Sequence, residues 1–236
     1  MDSFGINKEE FELRKCLREG ETEISERLFN LIFGATLMWG FLINVILVST
    51  LQTAVVKAVY SAGSLGLIMI MILYIGFAIW GNSLIHKQGL LSSLIGFNLI
   101  AIPIGLLLCV AVYGYSPTLI KNAMTITLIT TLIMTILGML FPQFFTGIAK
   151  LLGMSLLCCL IASVICSLCF PRMNMDFFDW VVAGLMCLYI GYDWGRLSSC
   201  ARTANNAVDI AANLYLDIIN LFLRVLNILA KSRRND

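Results

Sequence analysis

The sequence contains little charge, little histidine and, over most of its length, no acidic residues. Only 13% of its 236 residues are charged, and it has one histidine. No Asp or Glu occurs between Arg27 and Met175. In a typical soluble domain roughly a quarter of the residues are charged, so this composition excludes a water-soluble fold. Hydrophobic residues make up 59% of the chain, which excludes intrinsic disorder.

The eight cysteines do not indicate a metal or redox centre. Most of them lie inside apolar runs. Cys166 and Cys169 have the C-x-x-C spacing, but no second pair accompanies them and His86 is far away in the sequence. We interpret the cysteines as small buried hydrophobic residues. We expect no cofactor and no nucleic-acid partner.

Long apolar segments are abundant. Seven of them lie at about 28–51, 58–82, 90–114, 119–141, 146–170, 177–195 and 207–230. A helix crosses a bilayer with about 20 apolar residues, and helices satisfy their backbone groups within a single segment. We therefore predict an all-α polytopic protein embedded in a lipid bilayer. Residues 1–27 form a polar tail, and residues 28–236 form a domain of seven transmembrane helices.

The last predicted span carries polar residues at steps of three and four. They share one helix face: Asn206, Asp209, Asn213, Asp217, Asn220, Arg224 and Asn227. Such a stripe lines a water-filled path or forms an interhelical hydrogen-bond seam. A carboxylate inside a membrane is expensive and is functional by default. The aspartates therefore favour an ion or proton path, with Asp209, Asn213 and Asn220 as pore-lining candidates.

A second carboxylate, Asp193, ends the sixth span 24 residues before Asp217, with a short turn between them. In an antiparallel helical hairpin the two side chains lie at broadly similar depth. Carboxylates are the hard oxygen ligands that Ca²⁺ prefers, and a close pair titrates as a coupled unit. We predict that Asp193 and Asp217 form an ion and proton site that binds Ca²⁺. The alternative for Asp193 alone is a helix-end carboxylate at the membrane interface.

The other charges near the last two spans have structural interpretations. Asp176 and Asp179 open the sixth span, where capping and the helix dipole favour acids. Arg224 is expected to extend along its stem to the interface, together with the basic C-terminal residues. The possible counter-charges for the acids are Arg196, Arg202 and Arg224.

The residues around both aspartates resemble the signature of the Bax inhibitor-1 family, also called the transmembrane BAX inhibitor motif family. They are the segments 190–193 (Ile-Gly-Tyr-Asp) and 214–229, which begins Leu-Tyr-Leu-Asp. The resemblance implies seven helices with the last one central, and a pH-sensitive Ca²⁺ leak whose sensor is the aspartate pair. It also implies a latch arginine near the inner end of the second span. Residues 80–87 lack that arginine, which leaves His86, Lys87 or a different closure as alternatives.

Two other functions are weighed against a pH-sensitive leak of Ca²⁺. Intramembrane aspartyl proteases also pair a Tyr-Asp with an aspartate on the next span. The context of Asp217, Tyr-Leu-Asp-Ile, lacks the Gly-x-Gly-Asp pattern of those enzymes, so we expect a protein that is not an enzyme. A non-transporting regulator that binds another membrane protein is the second alternative. The location is a bacterial plasma membrane or a eukaryotic internal membrane.

Overall fold

The computed structural model describes residues 22–87, 89–169 and 176–235. This part of the chain is helical apart from short turns. Its helices are α1 (Glu26–Ser61), α2 (Ser64–Ile85), α3 (Leu90–Ala111), α4 (Pro117–Leu140), α5 (Pro142–Gly147), α6 (Ala149–Cys169), α7 (Asp176–Leu197) and α8 (Ala204–Asn235). All except the short α5 have 21 residues or more, and each long helix overlaps one of the predicted spans. The predicted all-α membrane fold is confirmed, while most of the predicted tail lies outside the described residues.

Five helices of the described chain are both long and apolar enough to cross a membrane. They are α1, α2, α3, α4 and α8. Helix α7 is not among them, and it carries the buried carboxylates Asp179 and Asp193. Two buried carboxylates distinguish α7 from a plain apolar span.

One predicted boundary is wrong. The apolar runs predict that the first span ends at residue 51 and that the second starts at residue 58, whereas α1 continues through this region to Ser61. Residues 52–57 contain no glycine or proline, so nothing there stops a helix. The chain turns instead at Ala62 and Gly63, where Gly63 adopts a φ of 61°, a conformation that favours glycine. Helix α1 is about 54 Å long at 1.5 Å per residue, longer than a hydrocarbon core.

The chain forms two compact units. The first contains α1, α2, α3 and the start of α8 as far as Tyr215. Within it, glycines let α2 and α3 approach closely, because a Cβ added to Gly96 would lie 2.5 Å from the carbonyl oxygen of Gly81. Small residues at helix contacts are typical of membrane bundles.

The second unit contains α4, α5, α6, α7 and α8 from Leu216 onward. Here α4 packs on α7 through Gly138, since a Cβ on that residue would lie 2.6 Å from the carbonyl oxygen of Gly191. The ring of Phe145 from α5 closes over Gly191 from another direction. These contacts fix the part of α7 that carries Asp193, two residues further along the helix.

Candidate functional site

Asp193 lies in the last turns of α7 and is 2% exposed. Its Oδ2 is buried and has no hydrogen-bond partner among the described residues. A buried carboxylate oxygen without a partner is costly, so such a group favours a proton, a cation or water. This oxygen is the strongest local indication of a site in the second unit.

Asp217 of α8 lies next to Asp193. The two carboxyl groups are close enough to interact electrostatically, and Asp217 is half-buried. At the other end of α7, Asp179 contacts Lys231, so α7 and the part of α8 from Leu216 onward run antiparallel, as the spacing predicts. The structure therefore brings together the two residues of the predicted ion and proton site, both within the second unit.

Three further side chains lie on the same part of α7 as Asp193. Nη1 of Arg196 lies 3.5 Å from Oδ1 of Asp193, one turn along the helix, and its charge acts on Asp217 as well. The Arg196 guanidinium is 5.6 Å from the ring centre of Tyr192. Tyr189 interacts electrostatically with both carboxyl groups. Arg196 is one of the predicted counter-charges, whereas the tyrosines were not predicted. Tyr189 precedes Asp193 by four residues and shares its helix face, which was the available signal.

A second charged cluster lies at the other end of the same helix pair. Asp179 of α7 is buried, with Oδ1 2.8 Å from Nη1 of Arg224 and Oδ2 2.8 Å from Nζ of Lys231. Asp179 therefore does more than favour the start of a helix, and Arg224 does more than extend to the interface. We call Asp179, Arg224 and Lys231 the basic triad, and Asp193, Asp217 and Arg196 the acidic triad.

The sequence contains a signal for the basic triad. Fourteen residues separate Asp179 from Asp193 on α7, and fourteen separate Asp217 from Lys231 on α8. In an antiparallel helix pair, equal steps in opposite directions lead to residues at the same level. A register that pairs Asp193 with Asp217 therefore also pairs Asp179 with Lys231, about 21 Å away along the helices.

The three pore-lining candidates occupy different environments on α8. Asp209 is buried, Asn213 is half-buried and Asn220 is exposed. Around Asp209, the start of α8 is buried on all sides, and Ser93 of α3 bonds to Asn205 there. The polar stripe therefore passes from a buried to an exposed environment along the helix, and its part in an ion path stays a prediction.

The oxygens at Asp193 and Asp217 suit a loosely held hard cation. The described residues include no group of three or more His, Cys, Asp or Glu side chains placed to hold a metal ion. Ca²⁺ takes six to eight oxygen ligands, so an ion at this pair would complete its shell with water or carbonyl oxygens. Carboxylate oxygens fit the ligand chemistry of Ca²⁺.

The long apolar helices place the chain in the class of multi-pass helical membrane proteins. The family described as Inhibitor of apoptosis-promoting Bax1 matches residues 26–234. The chain belongs to this family, the Bax inhibitor-1 family, as its C-terminal residues predicted, and it is an integral multi-pass membrane protein. Family members have seven transmembrane helices and are generally not enzymes. No curated protein and no solved structure matches the chain.

Proposed function

We propose that the protein is a pH-sensitive Ca²⁺ leak in which Asp193 and Asp217 form one site for the ion and for protons. The observation that carries this proposal is the buried Oδ2 of Asp193, which has no partner among the described residues and lies in a carboxyl group next to Asp217. Membership of the Bax inhibitor-1 family supports it.

The chemistry of the pair follows from repulsion between like charges. Two adjacent carboxylates destabilise each other when both are ionised, and either a shared proton or a cation relieves that repulsion. Proton and Ca²⁺ compete for the same oxygens, so Ca²⁺ occupancy rises as the pH rises and protons leave. Conduction requires an ion to bind and also to leave, and two carboxylates in a shell of six to eight ligands provide weak binding of this kind.

The polar stripe of α8 supplies the neighbouring positions of the proposed path. Asp209 precedes Asp217 by eight residues, or about 12 Å along the helix, and Asn213 lies midway. Asn220 follows Asp217 by three residues on the same face. Carboxylate and amide oxygens at these spacings offer successive polar contacts to a hydrated ion.

Ca²⁺ flux from liposomes tests the proposal. Purified full-length protein is reconstituted, and Ca²⁺ release is followed between about pH 5 and pH 8. We expect a pH-dependent leak that Asp193→Asn and Asp217→Asn each flatten or displace. Asp179→Asn is the matched control, because it removes a buried carboxylate of the same helix from outside the pair and leaves the pH profile in place.

The same preparation separates the alternative functions. Absence of flux from correctly folded protein contradicts the leak and favours the non-transporting regulator. Cleavage of a membrane-embedded peptide that stops in either aspartate variant would instead indicate an intramembrane protease. Flux with unchanged pH profiles in both single variants would leave a leak but remove the aspartate pair as its site.

A further inference from the structure

We infer that Arg196 is a built-in cation that sets the ion preference of the Asp193–Asp217 site by weakening its hold on divalent ions more than on monovalent ions. The inference rests on the proposed function of that site and adds a specificity-determining residue to it.

The position of Arg196 supports this role. Its side chain is only 12% exposed, and its guanidinium contacts Oδ1 of Asp193 at 3.5 Å. The contact spans a single helical turn, so the positive charge is tied to the helix that carries Asp193 and cannot diffuse away. The ring of Tyr192 lies beside the guanidinium at 5.6 Å, an arrangement that stabilises a cation.

The two oxygens of Asp193 have different surroundings. Oδ1 faces Arg196, whereas Oδ2 has no partner among the described residues. An ion that binds the pair can therefore reach Oδ2 directly but shares Oδ1 with the guanidinium. Because the charge of Arg196 also acts on Asp217, it affects both ligands of the proposed site.

The charge of Arg196 affects divalent and monovalent ions to different extents. With both carboxylates ionised the acidic triad has a net charge of −1, whereas the two aspartates alone would have −2. The repulsion between Arg196 and a bound ion is proportional to the charge of the ion, so Ca²⁺ experiences twice the repulsion that Na⁺ experiences at the same place. Removal of the guanidinium charge should therefore tighten Ca²⁺ binding more than Na⁺ binding.

Equilibrium binding of radioactive Ca²⁺ and Na⁺ to the full-length protein in detergent tests the inference. Arg196→Gln removes the charge, and Arg196→Met is a second neutral variant that keeps the apolar stem. We expect either to tighten Ca²⁺ binding by about tenfold and Na⁺ binding by about threefold, since the second effect is the square root of the first. Arg196→Lys keeps a positive charge and should retain binding close to that of the wild type.

The outcomes distinguish this inference from the function on which it rests. Equal changes for Ca²⁺ and Na⁺, or no change in a folded neutral variant, would overturn the role of Arg196 while the site remained. If Asp193→Asn and Asp217→Asn leave Ca²⁺ binding intact, the proposed site itself fails. If Arg196→Lys and both neutral variants all weaken Ca²⁺ binding to the same degree, Arg196 has a structural role instead.

Discussion

The two ends of the α7–α8 pair contain the same kinds of side chain in opposite proportion. The acidic triad has two carboxylates and one guanidinium, and the basic triad has one carboxylate and two cations. In the basic triad each oxygen of Asp179 contacts a cation at 2.8 Å. In the acidic triad an oxygen of Asp193 has no partner among the described residues. In the basic triad the carboxylate is fully paired with cations. In the acidic triad the excess negative charge is available to bind an ion or a proton.

Burial sharpens this difference. The side chains of Arg224 and Lys231 are 39% and 41% exposed, so the excess positive charge of the basic triad is partly solvated. Asp193 is almost fully buried, so excess negative charge at the other end is costly until something neutralises it. The excess charge of the basic triad is positive and partly solvated, as in a structural ion cluster. The excess charge of the acidic triad is negative and buried, as expected of a site for a mobile cation.

The largest change in stability is expected at the basic triad. Asp179→Ala removes the acceptor of two ionic hydrogen bonds and should lower the free energy of unfolding by about 3 kcal/mol, the low end for buried ion pairs because the cations are partly exposed. Lys231→Gln should cost less, since Asp179 keeps Arg224. Thermal unfolding in detergent measures both. If Asp179→Ala is as stable as the wild type but alters the pH profile of Ca²⁺ flux, then Asp179 belongs to the ion site and the proposed difference between the two triads is wrong.

A smaller loss of stability is expected when a methyl group is added at Gly191, close to Asp193 of the acidic triad. A Cβ on Gly191 would lie 2.3 Å from the ring of Phe145, which is buried and cannot yield freely. Gly191→Ala should destabilise the protein by about 2 kcal/mol through overpacking. Gly184→Ala is the control on the same helix, because nothing lies within 4 Å of its Cβ position, and it should be neutral or slightly stabilising. Equal unfolding temperatures for the two variants would contradict the close packing of Phe145 on Gly191.

The smallest effect is expected at a neutral polar pair of the first unit. The side-chain amide of Asn44 donates to the hydroxyl of Tyr215 at 2.7 Å, and both residues are buried. Tyr215→Phe removes this bond and should cost about 1 kcal/mol. Because neither partner carries a charge, the loss should be the same at every pH at which the protein is folded. A strongly pH-dependent loss, measured by unfolding at two pH values, would mean that this pair is coupled to a titrating group.

The sequence was most informative about single segments and about two segments joined by a short turn. Apolar runs predict seven long helices, and the spacing of Asp193 and Asp217 predicts their approach. The end of α1 was missed because an apolar run shows where a helix can lie in lipid but not where it stops, and Gly63 was the signal. The basic triad was missed because charges 45 and 52 residues apart meet only when the register of two helices is known.

Proton release on Ca²⁺ binding tests the central claim most directly. In weakly buffered solution near the middle of the pH response, addition of Ca²⁺ to purified wild-type protein should release protons, because the ion displaces them from Asp193 and Asp217. The Asp193→Asn, Asp217→Asn double variant should release none, and Asp179→Asn should behave as the wild type does. Ca²⁺ binding without proton release in the wild type, or undiminished release from the double variant, would contradict a single shared site.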